Sequence, residues 1–82
     1  MGEVASSRGR DGLTALERDV LAASALGLTT AEVAAALDVS PDAVRRSLAS
    51  AIAILGARSK LEAIVIALRS GLIEIPRGPD AP

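Results

Sequence analysis

The stretch GLTTAEVAAALDVSPDAVRR, residues 27–46, decides the fold. Thr29 can cap a helix while Glu32, three residues on, reaches back to it, the reciprocal arrangement of a capping box. The helix so started runs through Val33, Ala34 and Leu37 at helical spacing. Ser40 caps the next helix, and Pro41 takes its first position, where a missing N–H costs nothing. Only Asp38, Val39 and the cap itself separate the two. A turn that short predicts a sharp helix–turn–helix angle with Val39 plugging the shared core. Asp38 falls where the chain needs a left-handed residue, a conformation that Asp tolerates better than most. Ala34 and Ala35 suit close contact between the helices.

Two more helices flank this pair. The first starts at Thr14 with Glu17 completing a capping box, carries Leu13, Leu16, Val20 and Leu21 at helical spacing, and stops at Gly27. The last starts at Ser59 with Glu62 at the capping-box offset and ends at Ser70–Gly71. Residues 1–12 are polar and Gly-rich and read as a mobile arm; residues 76–82 hold three Pro and a Gly and read as a tail. The prediction is an all-α, four-helix bundle over residues 13–75 that contains a helix-turn-helix.

Composition narrows the chemistry. The 82 residues make one small domain, half of it hydrophobic, with no Phe, Tyr or Trp. The core must come from Leu, Ile, Val and Ala, which favours closely packed helices. There is no Cys and no His, which removes disulfides, thiol chemistry, most zinc sites and every His-based triad. Glu17, Asp19 and Glu32 occupy capping or exposed positions, no Gly-rich phosphate loop follows a strand, and no nucleophile has a base. We expect neither an enzyme nor a cofactor. No apolar run approaches the roughly 18–20 residues of a membrane span, and the polar N-terminus is no signal peptide.

The net charge is only −1, but it is unevenly spread. Residues 11–42 hold Arg18 against six acids, a local −5, whereas residues 43–60 hold Arg45, Arg46, Arg58 and Lys60 and no acid, a local +4. On the helix from residue 40 to 55, Val44, Leu48, Ala51, Ile52 and Leu55 share one arc and face the core. The opposite arc centres on Arg46 and carries Asp42, Ala49, Ser50 and Ala53, with Arg45 on its flank. Two Arg among small side chains would be ordinary surface on an isolated helix. On the second helix of a tight helix-turn-helix they fit a major groove about 12 Å wide, where Arg is the commonest reader of guanine edges. In the last helix, Leu61, Ala63, Ile64, Val65, Ile66, Ala67 and Leu68 are apolar nearly all round. A domain this small buries one face of a helix; the other asks for a partner.

From Leu13 to Ile73 the chain resembles the LuxR/GerE (FixJ/NarL-like) helix-turn-helix domain of bacterial transcription regulators. The resemblance rests on LTALERDVL (13–21), GLTTAEVA (27–34), LDVSPDAVR (37–45), LGARSKLEA (55–63) and GLI (71–73). It implies binding to double-stranded DNA for regulation of transcription, with recognition helix 41–55 in the major groove, and a homodimer formed through helix 60–70. It further implies RNA polymerase or another regulator as partner, and a bacterial cytoplasmic location. The DNA-binding positions carried over are Arg45, Arg46, Ala49 and Ser50 on the recognition helix and Ser40 with the first-turn amides toward phosphate. Thr29 and Thr30 open the helix that crosses the backbone, and Arg58 and Lys60 are within reach of phosphate. The dimer positions are Leu61, Ile64, Val65, Ile66 and Leu68. At 82 residues there is no room for an attached receiver or sensing domain, so the chain reads as a stand-alone regulator or the C-terminal part of a larger one.

This chain departs from the family pattern at several points. Ser47 replaces a common His, while Ala49, Ala53 and Ile54 stand where relatives often carry Lys or Arg. Asp42 adds a negative charge near the expected phosphates. Fewer phosphate contacts predict weaker binding with a shallower salt dependence. Ile54 lies off the core arc and is expected to meet the fourth helix or a partner subunit. Two rivals share much of the pattern. A sigma-factor region-four domain has the same groove-reading logic but usually ends soon after the recognition helix, whereas here residues 55–73 supply a fourth helix. A helix-turn-helix scaffold serving protein interaction or dimerisation is favoured by the low basic content and disfavoured by the Arg45–Arg46 pair.

Overall fold

The computed structural model describes residues 12–74, so the N-terminal arm up to residue 11 and the tail at 76–82 lie outside the described residues. Four helices follow one another: α1 (Ala15–Ala25), α2 (Thr30–Leu37), α3 (Pro41–Ile54) and α4 (Lys60–Arg69). No strand occurs among the described residues.

The starts obey the cap chemistry. At Thr14 and at Thr29 the hydroxyl accepts from the N–H of Glu17 and Glu32 at 3.0 and 3.1 Å, and both carboxylates accept the cap's own N–H at 2.8 Å. Ser40 accepts from Ala43 N–H at 3.0 Å. The third expected box, at Ser59, is half formed. Its hydroxyl accepts from Glu62 N–H at 3.1 Å, but the Glu62 carboxylate takes the N–H of Arg58, at 2.6 Å. The reason is backbone geometry: Ser59 has φ −156°, against −80° at Thr14 and −75° at Thr29, which turns its own N–H out of reach.

Helix ends explain the tight turn. Val39 N–H donates to Ala34 C=O at 3.0 Å and Asp38 N–H to Ala35 C=O at 3.3 Å, the paired bonds of a Schellman cap. The same pairing closes α3 around Gly56 and α4 around Gly71, both with positive φ. At the end of α2 the left-handed position is held by Asp38, with φ 58° and ψ 46°. A side chain there costs roughly 1–2 kcal/mol relative to the right-handed region, and Gly at the same place loses about 0.5–1 kcal/mol in unfolded-chain entropy. Asp38→Gly is therefore expected to stabilise the domain by up to about 1 kcal/mol, read as a higher thermal midpoint by circular dichroism; a lowered midpoint would refute it.

The core is two adjoining clusters. Val20, Val33, Ala34 and Val44 join α1, α2 and α3, with Leu16, Leu28, Leu37 and Val39 packed around them. Leu13, Leu21, Ala51, Ala63, Ile64, Ala67 and Ile73 join α1, α3 and α4. Val20 and Leu21 are successive residues, about 100° apart around α1, so one helix feeds both clusters. Leu48 packs against both, which makes α3 the shared wall. The expected core arc holds: Val44 and Ala51 are buried, while Leu48, Ile52 and Leu55 are half-buried against the core. Val39 plugs the turn as expected. Ala34 is buried between the helices, but Ala35 points outward and is exposed, because α2 turns that side away from α1 and α3.

Candidate nucleic-acid interface

The outward face of α3 follows from its inward one. With Val44, Leu48 and Ala51 turned to the core, helical geometry leaves Asp42, Arg45, Arg46, Ala49 and Ala53 exposed and Ser50 half-buried. The Ser40 cap and Pro41 fix where this face begins, and the Asp38 turn fixes its angle to α2.

The two guanidiniums are not independent. Asp42 Oδ1 accepts from Arg45 Nη2 at 2.9 Å, and Asp42 Oδ2 lies 3.8 Å from Arg46 Nη1. One carboxylate thus forks to two cations at the i,i+3 and i,i+4 spacings of a helix. The side chains of Arg45, Arg46 and Asp42 keep 62%, 74% and 69% of their exposure, so the fork sits in water rather than in the core. The hydrogen bond from Arg45, and then the charges of Arg45 and Arg46, hold the Asp42 carboxyl below its ordinary range. Asp42's contribution to stability is therefore complete above the ordinary carboxylate pKa and is lost as pH falls through its lowered value. Arg45→Ala is expected to move the Asp42 midpoint upward in a side-chain carboxyl NMR titration; an unmoved midpoint would break the link.

The remaining expected contacts stand at helix starts. Thr29 is exposed and Thr30 half-buried at the start of α2, and Ser40 is exposed at the start of α3. Arg58 and Lys60 are exposed where α4 begins, with Glu62 in the same turn. Helix N-termini carry partial positive charge and unpaired N–H groups, which suit phosphate. The hydroxyls of Thr29 and Ser40 are already engaged as caps.

The expected dimer positions divide. Leu61 is 70% exposed and Val65 39%, one helical turn apart on α4. Ile66 and Leu68 are half-buried, and Leu68 leans on the domain's own core. Ile64 turns inward and is buried beside Ala63 and Ala67, so it serves this core and offers no surface to a partner. Ile54, 37% exposed, lies beside Gly12, where an added Cβ would stand 3.4 Å from its Cγ2. The fork of Asp42 to Arg45 and Arg46 goes beyond the expected place of Asp42 near phosphate, and its three- and four-residue spacing to them is the sequence signal for it.

Comparison with known proteins agrees with the four-helix fold. The family model for bacterial regulatory proteins of the luxR family (GerE) matches residues 11–67. The solved structure of a transcription factor, GerE, is similar at a TM-score of 0.74 and 26% sequence identity, covering 78% of this chain and 96% of that one. No curated protein sequence matches the chain.

Proposed function

Because the chain belongs to the luxR family of bacterial regulatory proteins, a family of DNA-binding transcription regulators, we propose that it reads duplex DNA with α3 in the major groove. The observation that carries this is the outward face of α3: two exposed Arg among small side chains, on the second helix of a helix-turn-helix. Small neighbours let the helix approach base edges closely, and Arg offers a planar fork that matches guanine O6 and N7. Thr29, Thr30, Ser40, Arg58 and Lys60 supply the flanking phosphate contacts that set register without reading sequence.

Leu61 and Val65 form the apolar turn of α4 through which two copies pair, placing two α3 helices on a roughly twofold-symmetric site. Regulation of transcription puts RNA polymerase or a second regulator among its partners. No helix among the described residues is long and apolar enough to cross a membrane, and the bacterial cytoplasm is where such a domain meets its DNA.

The test is a nitrogen-15 amide NMR titration with a generic duplex at low salt, which registers binding as weak as about 10⁻⁴ M. Shifts concentrated at residues 40–60 that fade as salt rises are expected. A silent spectrum would overturn the reading in favour of a protein-interaction module, a use consistent with the exposed Leu61 and Val65.

A further inference from the structure

We propose that Asp42 is a specificity-determining residue: it holds Arg45 and Arg46 off the phosphate backbone and reserves them for base edges. The proposal rests on the duplex-binding reading above. Its starting point is the fork itself, with both carboxylate oxygens directed at guanidiniums, at 2.9 Å for Arg45 and 3.8 Å for Arg46. Asp42 is the one acid in α3, and it stands in the first turn, directly after Pro41. There the helix N-terminus favours a negative charge.

Two consequences follow from elementary electrostatics. Non-specific affinity for duplex DNA comes almost wholly from neutralising phosphates. The α3 face offers two positive charges and subtracts one, a net of +1, so its pull on phosphate is halved before contact. Base edges carry partial rather than full negative charge and lose much less to the same carboxylate. Arg has five N–H donors, so Arg45 can give one to Asp42 and keep the others for guanine. A guanidinium already held by a neighbour also loses less side-chain freedom on docking, which lowers the entropic cost of the specific complex. One residue therefore weakens the sequence-blind mode and favours the sequence-reading one.

The experiment compares wild type, Asp42→Asn and Asp19→Asn. Asp19 is exposed on α1, outside the interface proposed above, so its variant makes the same change in net charge away from α3. Circular dichroism first checks that each is folded. Binding to a fluorescein-labelled generic duplex is read by anisotropy over a salt series, and selectivity by enrichment from a random-sequence duplex pool. A carboxylate in water weakens binding about threefold per phosphate lying ~7 Å away, so Asp42→Asn should tighten generic binding about three- to tenfold. It should also steepen the salt dependence and reduce enrichment, while Asp19→Asn moves each much less. Equal effects of the two variants would mean that net charge alone is at work and overturn the proposal. Unchanged or weaker generic binding by Asp42→Asn, or tighter binding with undiminished enrichment, would overturn it as well, with the duplex reading intact. Absence of binding by all three proteins would bring down that reading and the proposal together.

Discussion

Leu21→Ala is expected to remove about 3–5 kcal/mol of stability, the range for deleting a fully buried Leu from a site that cannot collapse. Leu21 is 0% exposed in the cluster that ties α1 to α3 and α4. Three of its cluster mates, Ala51, Ala63 and Ala67, are also fully buried and have no side-chain torsions with which to move into the void. A domain of this size has roughly 3–9 kcal/mol in total, at about 0.05–0.15 kcal/mol per residue. The variant should therefore melt about 10–40 °C lower or be unfolded at room temperature, since each kcal/mol shifts the midpoint by about 4–8 °C. With no Trp or Tyr in the chain, far-ultraviolet circular dichroism is the observable. Leu61→Ala is the internal contrast: at 70% exposure it should leave the melting of a dilute, monomeric sample within about 0.5 kcal/mol of wild type. A drop below about 5 °C in Leu21→Ala would mean that α4 is not braced as described.

The second large effect concerns binding. Arg46 sits at the centre of the exposed arc of α3 with 74% of its side chain open, and it is the less tightly held arm of the Asp42 fork. Arg46→Ala should cost roughly 1–3 kcal/mol on a sequence enriched from a random pool, and relax the preference at one base pair per half-site, as loss of a bidentate guanine contact would. On a generic duplex the same variant should lose far less, with a salt slope reduced by less than about one unit, because Asp42 already offsets part of the pull of Arg46 on phosphate. Undiminished affinity and selectivity in Arg46→Ala would remove α3 from the groove.

Much of this was legible in residue types at fixed offsets, because the relevant forces are local. The Thr14–Glu17 and Thr29–Glu32 boxes, the Ser40–Pro41 start and the left-handed Asp38 each need only a few neighbouring residues, and each is present. The luxR family was legible for the same reason, since its signature is carried by those turns and caps. What escaped depends on the third dimension. Ser59 carries the capping-box spelling, but its extended φ hands the Glu62 carboxylate to Arg58. Ile64 and Val65 are equally apolar in sequence, and only the packing of α4 on Ala51 and Leu21 decides that the first is core and the second surface. Ala35 differs from Ala34 in nothing but the side of α2 on which it falls.

The shared wall formed by α3 separates what the domain is made of from what it says. Val44, Leu48 and Ala51 lock the helix to both clusters from within, and none of them faces outward. Positions 42, 45, 46, 49 and 53 take almost no part in holding the fold. Those five positions form a rewritable alphabet on a fixed frame. A library randomised there alone should yield mostly folded proteins, and new DNA preferences could arise by single substitutions without a loss of stability to be repaired elsewhere.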